Sequence, residues 1–170
     1  MTESLVEFFL NIFSGMTGTE LGKSISVFIV SMLPIIELRG GLIAAALLKL
    51  SLLKAFIICF IGNILPIPFI LWFIRIILDW MRNIKYFKKI VKWLDKKVES
   101  KKDKIEKYGF WGVVAFVGIP LPGTGAWTGA LIAAMLDMDK KKALLACTIG
   151  VLIAGVIMSI FSYGVLDLIF

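Results

Sequence analysis

Long apolar stretches dominate the chain and alternate with short polar segments. Two of them, residues 55–74 and 143–166, have the length of about 20 residues that a helix needs to cross a bilayer. The stretches 24–36 and 40–48 are each too short to span, whereas 108–136 is too long for one span and is interrupted near its centre. The pattern predicts an all-α integral membrane protein in which only some apolar segments are complete spans.

The interruptions fall where hydrocarbon would surround the chain. Residues 34–41 read PIIELRGG, and residues 118–125 read GIPLPGTG. Proline and glycine at that depth leave backbone N–H and C=O groups without helical partners, which is tolerated only where the break is buried in protein or lines a wet cavity. Each interrupted segment is therefore predicted to form a re-entrant helical hairpin that enters and leaves on one side of the membrane.

The two halves of the chain resemble each other. LIAA at 42–45 recurs at 131–134, an offset of 89 residues, and three further matches have an offset of 88. Those matches pair Lys54-Ala55 with Lys142-Ala143, Cys59 with Cys147, and Gly62 with Gly150. A hairpin followed by one transmembrane helix, present twice, gives two inverted repeats, which is how many secondary transporters are built. If both interrupted segments span instead, the chain has four crossings and parallel repeats.

The distribution of positive charge favours the hairpins. Eleven of the nineteen Lys and Arg residues lie between Arg82 and Lys107. If the interrupted segments are hairpins, these residues lie on one face of the membrane together with the three lysines of 140–142, so that face has 14 Lys and Arg residues and the other has three. With four spans, the two faces have 12 and five. Because cytoplasmic loops carry an excess of Lys and Arg, the stronger asymmetry favours the hairpins and places residues 79–107 in the cytoplasm.

The chain is interpreted as one membrane domain, 1–170, with two interfacial segments. An interfacial helix is predicted within 1–22, repeat 1 within 24–78, a basic amphipathic helix over 79–107, and repeat 2 within 108–168. Apolar residues follow heptad spacing in the basic segment: Trp80, Ile84, Phe87, Val91, Leu94, Val98 and Ile105. Such a helix can lie on anionic lipid headgroups, although a coiled-coil seam that forms a homodimer fits the same spacing.

Composition excludes several classes of protein. The chain is 59% hydrophobic with a mean hydropathy of +0.94, beyond the range of soluble domains. It has no histidine, its two cysteines form no CxxC pair, and no hydrolase or P-loop motif is present, so we expect no enzyme activity, no metal and no cofactor. The lysine run is typical of a cytoplasmic membrane face, and we expect no nucleic-acid partner.

Glu37 and Arg39 are the candidates for chemistry in the first interruption. Charges inside hydrocarbon cost several kcal/mol each, so they need partners or water, and they commonly mark a substrate or proton path. Two residues apart, they do not face each other on a regular helix, but a break before Gly40-Gly41 would let both point into one cavity. Glu37 is the candidate proton-coupling residue. An internal salt bridge that only holds the hairpin tip remains the structural alternative.

The second interruption, Gly118–Gly129, supplies groups suited to an anion. Its prolines and glycines leave backbone N–H groups free near a helix start, and a guanidinium from the first interruption would add a fixed positive charge. A simple tight turn is the alternative interpretation. The predicted substrate-binding residues are Arg39, Gly40, Pro122, Gly123, Thr124, Gly125, Trp127 and Thr128.

At PIIELRGG and PLPGTGAWTG the chain resembles the small multidrug export protein family, which is similar at a distance to the DedA membrane proteins and their SNARE-associated Golgi relatives. The resemblance extends from about Ile25 to Leu166. It implies a multi-pass protein of the bacterial cytoplasmic (inner) membrane with two re-entrant hairpins. DedA-type relatives are associated with moving polyprenyl phosphate or other phospholipid, with an acid and an arginine as functional groups; here these match Glu37 and Arg39, beside the Pro122–Gly125 turn.

Three functions follow as hypotheses. The first is a transporter or flippase, linked to the proton-motive force, for an anionic amphiphile such as a polyprenyl phosphate or phospholipid. The second is export of cationic drugs, in which Glu37 would bind the cation directly. The third is a membrane scaffold that does not transport and binds anionic lipid through the lysine-rich segment. Membrane lipid is the expected partner in each case, with a homodimer as a further expectation.

The hairpin topology is testable by cysteine labelling in intact cells. After removal of Cys59 and Cys147, single cysteines at Ser51 and at Lys140 are treated with a membrane-impermeant maleimide. Inverted repeats place these two loops on opposite faces, so we expect one position to be labelled and the other protected. Equal labelling of both would indicate four parallel spans instead.

Overall fold

The computed structural model describes residues 18–84, 88–121 and 123–164. Within these ranges every regular element is an α-helix, which confirms the predicted all-α class. The helices are α1 (Glu20–Met32), α2 (Glu37–Leu47), α3 (Leu52–Ile64), α4 (Pro66–Arg82), α5 (Lys88–Gly118), α6 (Ala126–Met135) and α7 (Lys140–Gly164). Most of the predicted N-terminal interfacial helix, and Pro122, lie outside the described residues.

Two helical segments are long and apolar enough to cross a membrane. They are Leu52–Ile74, which joins α3 to the first half of α4, and Lys140–Gly164, which is α7, with mean hydropathies of 2.3 and 2.6. Pro66 occupies the first position of α4, where its missing N–H costs least, and Leu65 before it keeps helical dihedral angles. Large apolar side chains such as Phe69 and Ile160 face outward, as expected for surfaces in contact with lipid.

Each remaining apolar segment is split into two shorter helices. The first break, residues 33–36, separates α1 from α2, and Pro34 within it has no N–H to continue the helix. The second break, residues 119–125, separates the apolar end of α5 from α6. The backbone of α5 is itself non-helical at Gly109 (φ 52°, ψ −123°), so its apolar end is distinct from the lysine-rich part.

The predicted break before Gly40-Gly41 is wrong. Both glycines lie inside α2, and the Gly40 N–H bonds to the Ile36 carbonyl at 3.0 Å. Proline stops a helix, whereas glycine only weakens it, so the chain breaks at Pro34 and continues as a helix through the glycines. Gly41 is needed for another reason: a Cβ at this position would collide with the Ser31 hydroxyl. The glycine pair therefore serves close helix packing, and the chain breaks on the N-terminal side of Glu37.

The predicted continuous helix over 79–107 is also divided. Its first residues belong to α4, which ends at Arg82, and a turn follows in which the Asn83 N–H bonds to the Trp80 carbonyl at 3.2 Å. Trp80 is 62% exposed and Val91 only 2% exposed. Trp80 of α4 and Val91 of α5, two of the heptad positions, therefore lie on separate helices with different surroundings.

Contacts between helix ends fix their relative placement. The Lys54 ammonium lies 3.1 Å from the Glu20 carboxylate and lowers the pKa of that carboxyl group, joining the starts of α1 and α3. The Tyr163 hydroxyl donates to the Leu50 carbonyl at 2.9 Å, which brings the end of α7 to the same region. The turn at 137–141 instead lines a cavity with the middle of α4. The turns after α2 and after α6 therefore contact different parts of the spanning helices.

Those two turns share one backbone geometry. Lys49 (φ 56°) and Asp137 (φ 58°) occupy equivalent left-handed positions, an offset of 88 residues. Equivalent hydrogen bonds of 3.0 Å run from the Leu50 N–H to the Ala45 carbonyl and from the Met138 N–H to the Ala133 carbonyl. The matching geometry of the two turns has an offset of 88 residues, the same offset as the Lys-Ala, Cys and Gly matches in the sequence.

Close glycine packing joins the helices in both halves. A Cβ on Gly62 would lie 2.9 Å from the Phe28 carbonyl oxygen, and one on Gly150 would lie 2.6 Å from the Val117 Cβ and 3.0 Å from the Val114 carbonyl oxygen. Small residues of this kind let backbones approach within a membrane. The spanning helix of each half thus packs directly on the first helix of the adjacent hairpin.

Gly150→Ala should destabilise the protein by ~1–3 kcal/mol, because the added methyl meets Cβ and backbone atoms that cannot rotate away. The measurement is the thermal unfolding midpoint in detergent. Gly164→Ala in the same helix is the matched control, since no atom of the described residues, apart from the chain neighbours of this glycine, lies within 4 Å of its added Cβ. Equal midpoints for the two variants would contradict the close packing of α5 against α7.

Candidate functional site

The two breaks meet, and three side chains connect them. Glu37 and Arg39 project from the start of α2, and Trp127 projects from the start of α6. Each of the three binds backbone groups that belong to the other hairpin. We call these contacts the crossed clamp.

Glu37 is buried, with 6% of its surface exposed, at the first position of α2. Its backbone has the left-handed φ of 53°, which turns the carboxylate towards the start of α6. There Oε1 accepts a hydrogen bond of 3.3 Å from the Trp127 N–H. The first N–H groups of a helix have no partners within the helix, and its positive dipole end favours a carboxylate. Glu37 therefore caps α6 from the opposite hairpin.

Gly125 makes room for that carboxylate. A Cβ at this position would collide with the Glu37 carboxylate, and the φ of 151° is one that side-chain-bearing residues rarely adopt. At the offset of 88 residues, Gly125 is the counterpart of Glu37 itself. Only one of the two equivalent positions can carry the acid, because both side chains would occupy the same space.

Arg39 binds two backbone carbonyls of the second break. Nη2 donates to the Ile119 carbonyl at 3.2 Å and to Thr124 Oγ1 at 3.0 Å, and Nη1 donates to the Leu121 carbonyl. Among the described residues, the buried Nε atom has no hydrogen-bond partner. The guanidinium thus satisfies acceptors that the end of α5 and the prolines expose.

Trp127 makes the equivalent contact in the opposite direction. Its indole Nε1–H donates to the carbonyl of Met32, the last residue of α1, at 3.1 Å. At the offset of 88 residues, Trp127 corresponds to Arg39. Both side chains therefore bind carbonyls at the end of the first helix of the other hairpin.

Thr124 reinforces the second break from within. Its hydroxyl oxygen lies 2.8 Å from the Ile119 carbonyl oxygen and 2.7 Å from the Leu121 carbonyl oxygen. A hydroxyl has one proton, so it donates to one of these carbonyls while it accepts from Arg39. Arg39 and Thr124 therefore share the same pair of carbonyls.

A cavity of about 370 Å³ lies at the meeting of the breaks. This volume falls within the roughly 300–1,000 Å³ typical of small-molecule sites. Glu37 and Arg39 are the ionisable residues among those that line it. The wall is formed by Pro34, Ile35, Ile36, Glu37, Arg39, Ile43, Pro120, Leu121, Gly123, Thr124, Thr128 and Met158.

Most of the predicted site residues come together here. Glu37, Arg39, Gly123, Thr124 and Thr128 line the cavity. Gly125 lies beside it against the Glu37 carboxylate, Gly40 is buried inside α2, and Pro122 is outside the described residues. The prediction missed Met158 of α7, since a methionine in an apolar span carries no sequence signal, and it missed the carbonyls that Arg39 binds.

Trp127 lines a separate apolar groove of about 540 Å³. Its neighbours there are Met32, Leu65, Pro66, Phe69, Ile70, Phe73 and Ile74. The residue thus joins two environments, because its backbone N–H binds the cavity carboxylate while it also belongs to the groove. Its predicted role in substrate binding stays a prediction, and its indole N–H donates to the Met32 carbonyl of the protein backbone.

Glu37→Ala should lower the free energy of unfolding by ~1–3 kcal/mol, because the Trp127 N–H would lose its acceptor. Glu37→Gln keeps a carbonyl oxygen at the same place and is the matched control, with a smaller loss. Thermal unfolding midpoints in detergent measure both. A loss for glutamine as large as that for alanine would show that the charge, and not the capping oxygen, stabilises the tips.

Comparison with known proteins gives one match. The family model described as "Putative small multi-drug export protein" matches residues 37–157, more than two thirds of the chain. The matched region includes all three side chains of the crossed clamp and eight of the twelve residues that line the cavity. Comparisons with curated proteins and with solved structures found no match. The chain belongs to the small multi-drug export protein family.

Proposed function

We propose that the chain is a membrane transporter, linked to the proton-motive force, whose cavity binds the polar head of an anionic amphiphile. A polyprenyl phosphate or a phospholipid is the kind of substrate intended. The observation that carries the proposal is the cavity between the two breaks, with one buried carboxylate and one guanidinium in its wall. Ionisable groups among apolar helices are costly and usually mark a transport path.

The proposed architecture is two inverted repeats, each a re-entrant hairpin followed by a spanning helix. The matching turns at Lys49 and Asp137 support it, as do the equivalent glycine contacts in the two halves. The contacts of Leu50 with the end of α7, and of 137–141 with α4, favour hairpin ends at opposite ends of the molecule. Broken helices that meet at the midplane form the substrate site in many secondary transporters.

Charge balance within the cavity offers a coupling mechanism. When Glu37 is ionised, its charge opposes that of Arg39, and the pair is neutral overall. When Glu37 takes up a proton, the guanidinium is left uncompensated and attracts an anion in a medium that screens it little. A proton and an anion would then bind together and move together, so anion binding should strengthen as pH falls.

Export of a cationic compound is the second candidate, and the family description favours it. Here ionised Glu37 binds the cation and exchanges it for a proton, which reverses the pH dependence: cation binding strengthens as pH rises. Arg39 opposes this function, because its like charge lies in the same cavity wall. The geometry therefore supports the anionic substrate better.

The test is transport by protein reconstituted in phosphatidylcholine liposomes under an imposed pH gradient. Fluorescent amphiphiles with the same alkyl chain carry a phosphate, a trimethylammonium or a neutral sugar. We expect movement of the phosphate compound, reduced about tenfold or more by Arg39→Gln, since this change removes a charged contact worth ~1.5–3 kcal/mol. Glu37→Gln should make movement insensitive to the imposed pH gradient, because the glutamine carries no proton to couple.

Lys92→Gln is the matched control, because this charge is exposed on α5 and lies away from the cavity. Preference for the trimethylammonium compound would establish the second candidate. Loss of function in cells for combined charge reversal at Lys88, Lys89 and Lys92, with full function for both cavity variants, would favour the scaffold and contradict the transporter.

A further inference from the structure

The Arg39 guanidinium is already engaged in this conformation. Both of its Nη atoms donate to the second break, to the carbonyls of Ile119 and Leu121 and to the Thr124 hydroxyl. An anion that enters the cavity can gain a two-pronged contact with the guanidinium only if it displaces some of these acceptors. An anion and the carbonyls of the second break therefore compete for the Arg39 side chain.

We infer that Arg39 is a latch on the second break, and that an anion in the cavity opens it by taking the guanidinium away from the Ile119 and Leu121 carbonyls. The inference rests on the proposed function, because it assigns to the same site a means of coupling substrate binding to movement. The part that moves comprises the described residues on either side of Pro122, 119–121 and 123–125.

The relative strength of the acceptors gives the direction of the exchange. Hydrogen bonds from a guanidinium to an ionised phosphate or carboxylate are roughly twice as strong as those between neutral groups. The planar fork of Arg39 matches two oxygens of one anion, whereas the carbonyls it binds now come from two residues of a turn. An anion thus binds better to the released state than to the latched one, which is what a shift between two conformations requires.

The backbone hydrogen bonds within the described part of the segment are short-range: the Leu121 N–H bonds to the Ile119 carbonyl at 2.8 Å, and the Thr124 N–H bonds to the Leu121 carbonyl at 3.1 Å. Its far end, Gly125, packs against the Glu37 carboxylate. Leu121 is 55% exposed and lines the cavity, and Gly123 (φ 79°) is a position able to absorb a change in backbone angles.

The first break lacks such a latch. Its equivalent contact is the single neutral donor of Trp127 to the Met32 carbonyl, which offers an anion no charge to capture. An anion should therefore release the second break and leave the first break in place. This difference distinguishes a specific latch from a general loosening of the protein.

The experiment is hydrogen–deuterium exchange on the full chain in phosphatidylcholine liposomes, with dodecyl phosphate as the probe and dodecyl maltoside as the uncharged control. We expect dodecyl phosphate to accelerate exchange of the Leu121 and Thr124 amides by about tenfold, a shift that requires a similar ratio of affinities for the two states. Exchange of the amides at 35–37 in and after the first break should not change.

Three variants identify the residue responsible. Arg39→Gln should show rapid exchange at 119–125 without any probe and no further response to dodecyl phosphate. Arg39→Lys keeps the charge but not the fork, so it should give the same result in weaker form. Trp127→Phe is the matched control: it removes the other arm of the crossed clamp, and it should accelerate exchange near the first break while the response at 119–125 persists.

Binding is measured in parallel by equilibrium dialysis of labelled dodecyl phosphate. Binding together with unchanged or slower exchange at 119–125 would overturn the latch and leave the proposed function standing. Absence of binding at every pH would overturn both. An equal response to dodecyl maltoside, or a response in Arg39→Gln as large as in the wild type, would also overturn the latch.

Discussion

One constraint governs this fold: where a helix is interrupted in an apolar environment, its backbone N–H and C=O groups must find hydrogen-bond partners. Two helical hairpins each stop short, and each stop exposes carbonyl and N–H groups that water would satisfy in a soluble protein. The crossed clamp meets this need across the two hairpins: Arg39 and Trp127 bind carbonyls at the ends of the opposite first helices, and Glu37 binds the start of α6. The polar side chains in the centre of the protein are therefore structural components before they have any other role.

The same contacts explain why equivalent positions carry different residues. Arg39 and Trp127 both donate hydrogen bonds to backbone carbonyls, but Arg39 carries a fixed positive charge and the Trp127 indole is a neutral donor. Glu37 faces Gly125, where a second side chain has no room. The site is built on a common frame but has one charged half and one apolar half, which gives it a polar cavity on the Arg39 side and an apolar groove at Trp127.

Much of this could be predicted from the sequence, because the physical signals were local. Apolar length identified the spans, prolines and glycines identified two interrupted segments, and intramembrane charge identified Glu37 and Arg39. The position of the first break could not be predicted as well, since Pro34 and the Gly40-Gly41 pair are both plausible breakers until packing against Ser31 is known. The role of Trp127 also required the structure, because no local pattern shows which carbonyl an indole will find about ninety residues away.

The carbonyl of Met32 accepts its hydrogen bond from Trp127, a residue that lies far along the chain. During synthesis the first hairpin leaves the ribosome well before the second, so its tip has no access to the indole that completes it. Until then its exposed backbone groups are best accommodated near headgroups and water, where their hydration costs least. The contact between Trp127 and Met32 therefore forms only after the chain has been synthesised at least as far as residue 127.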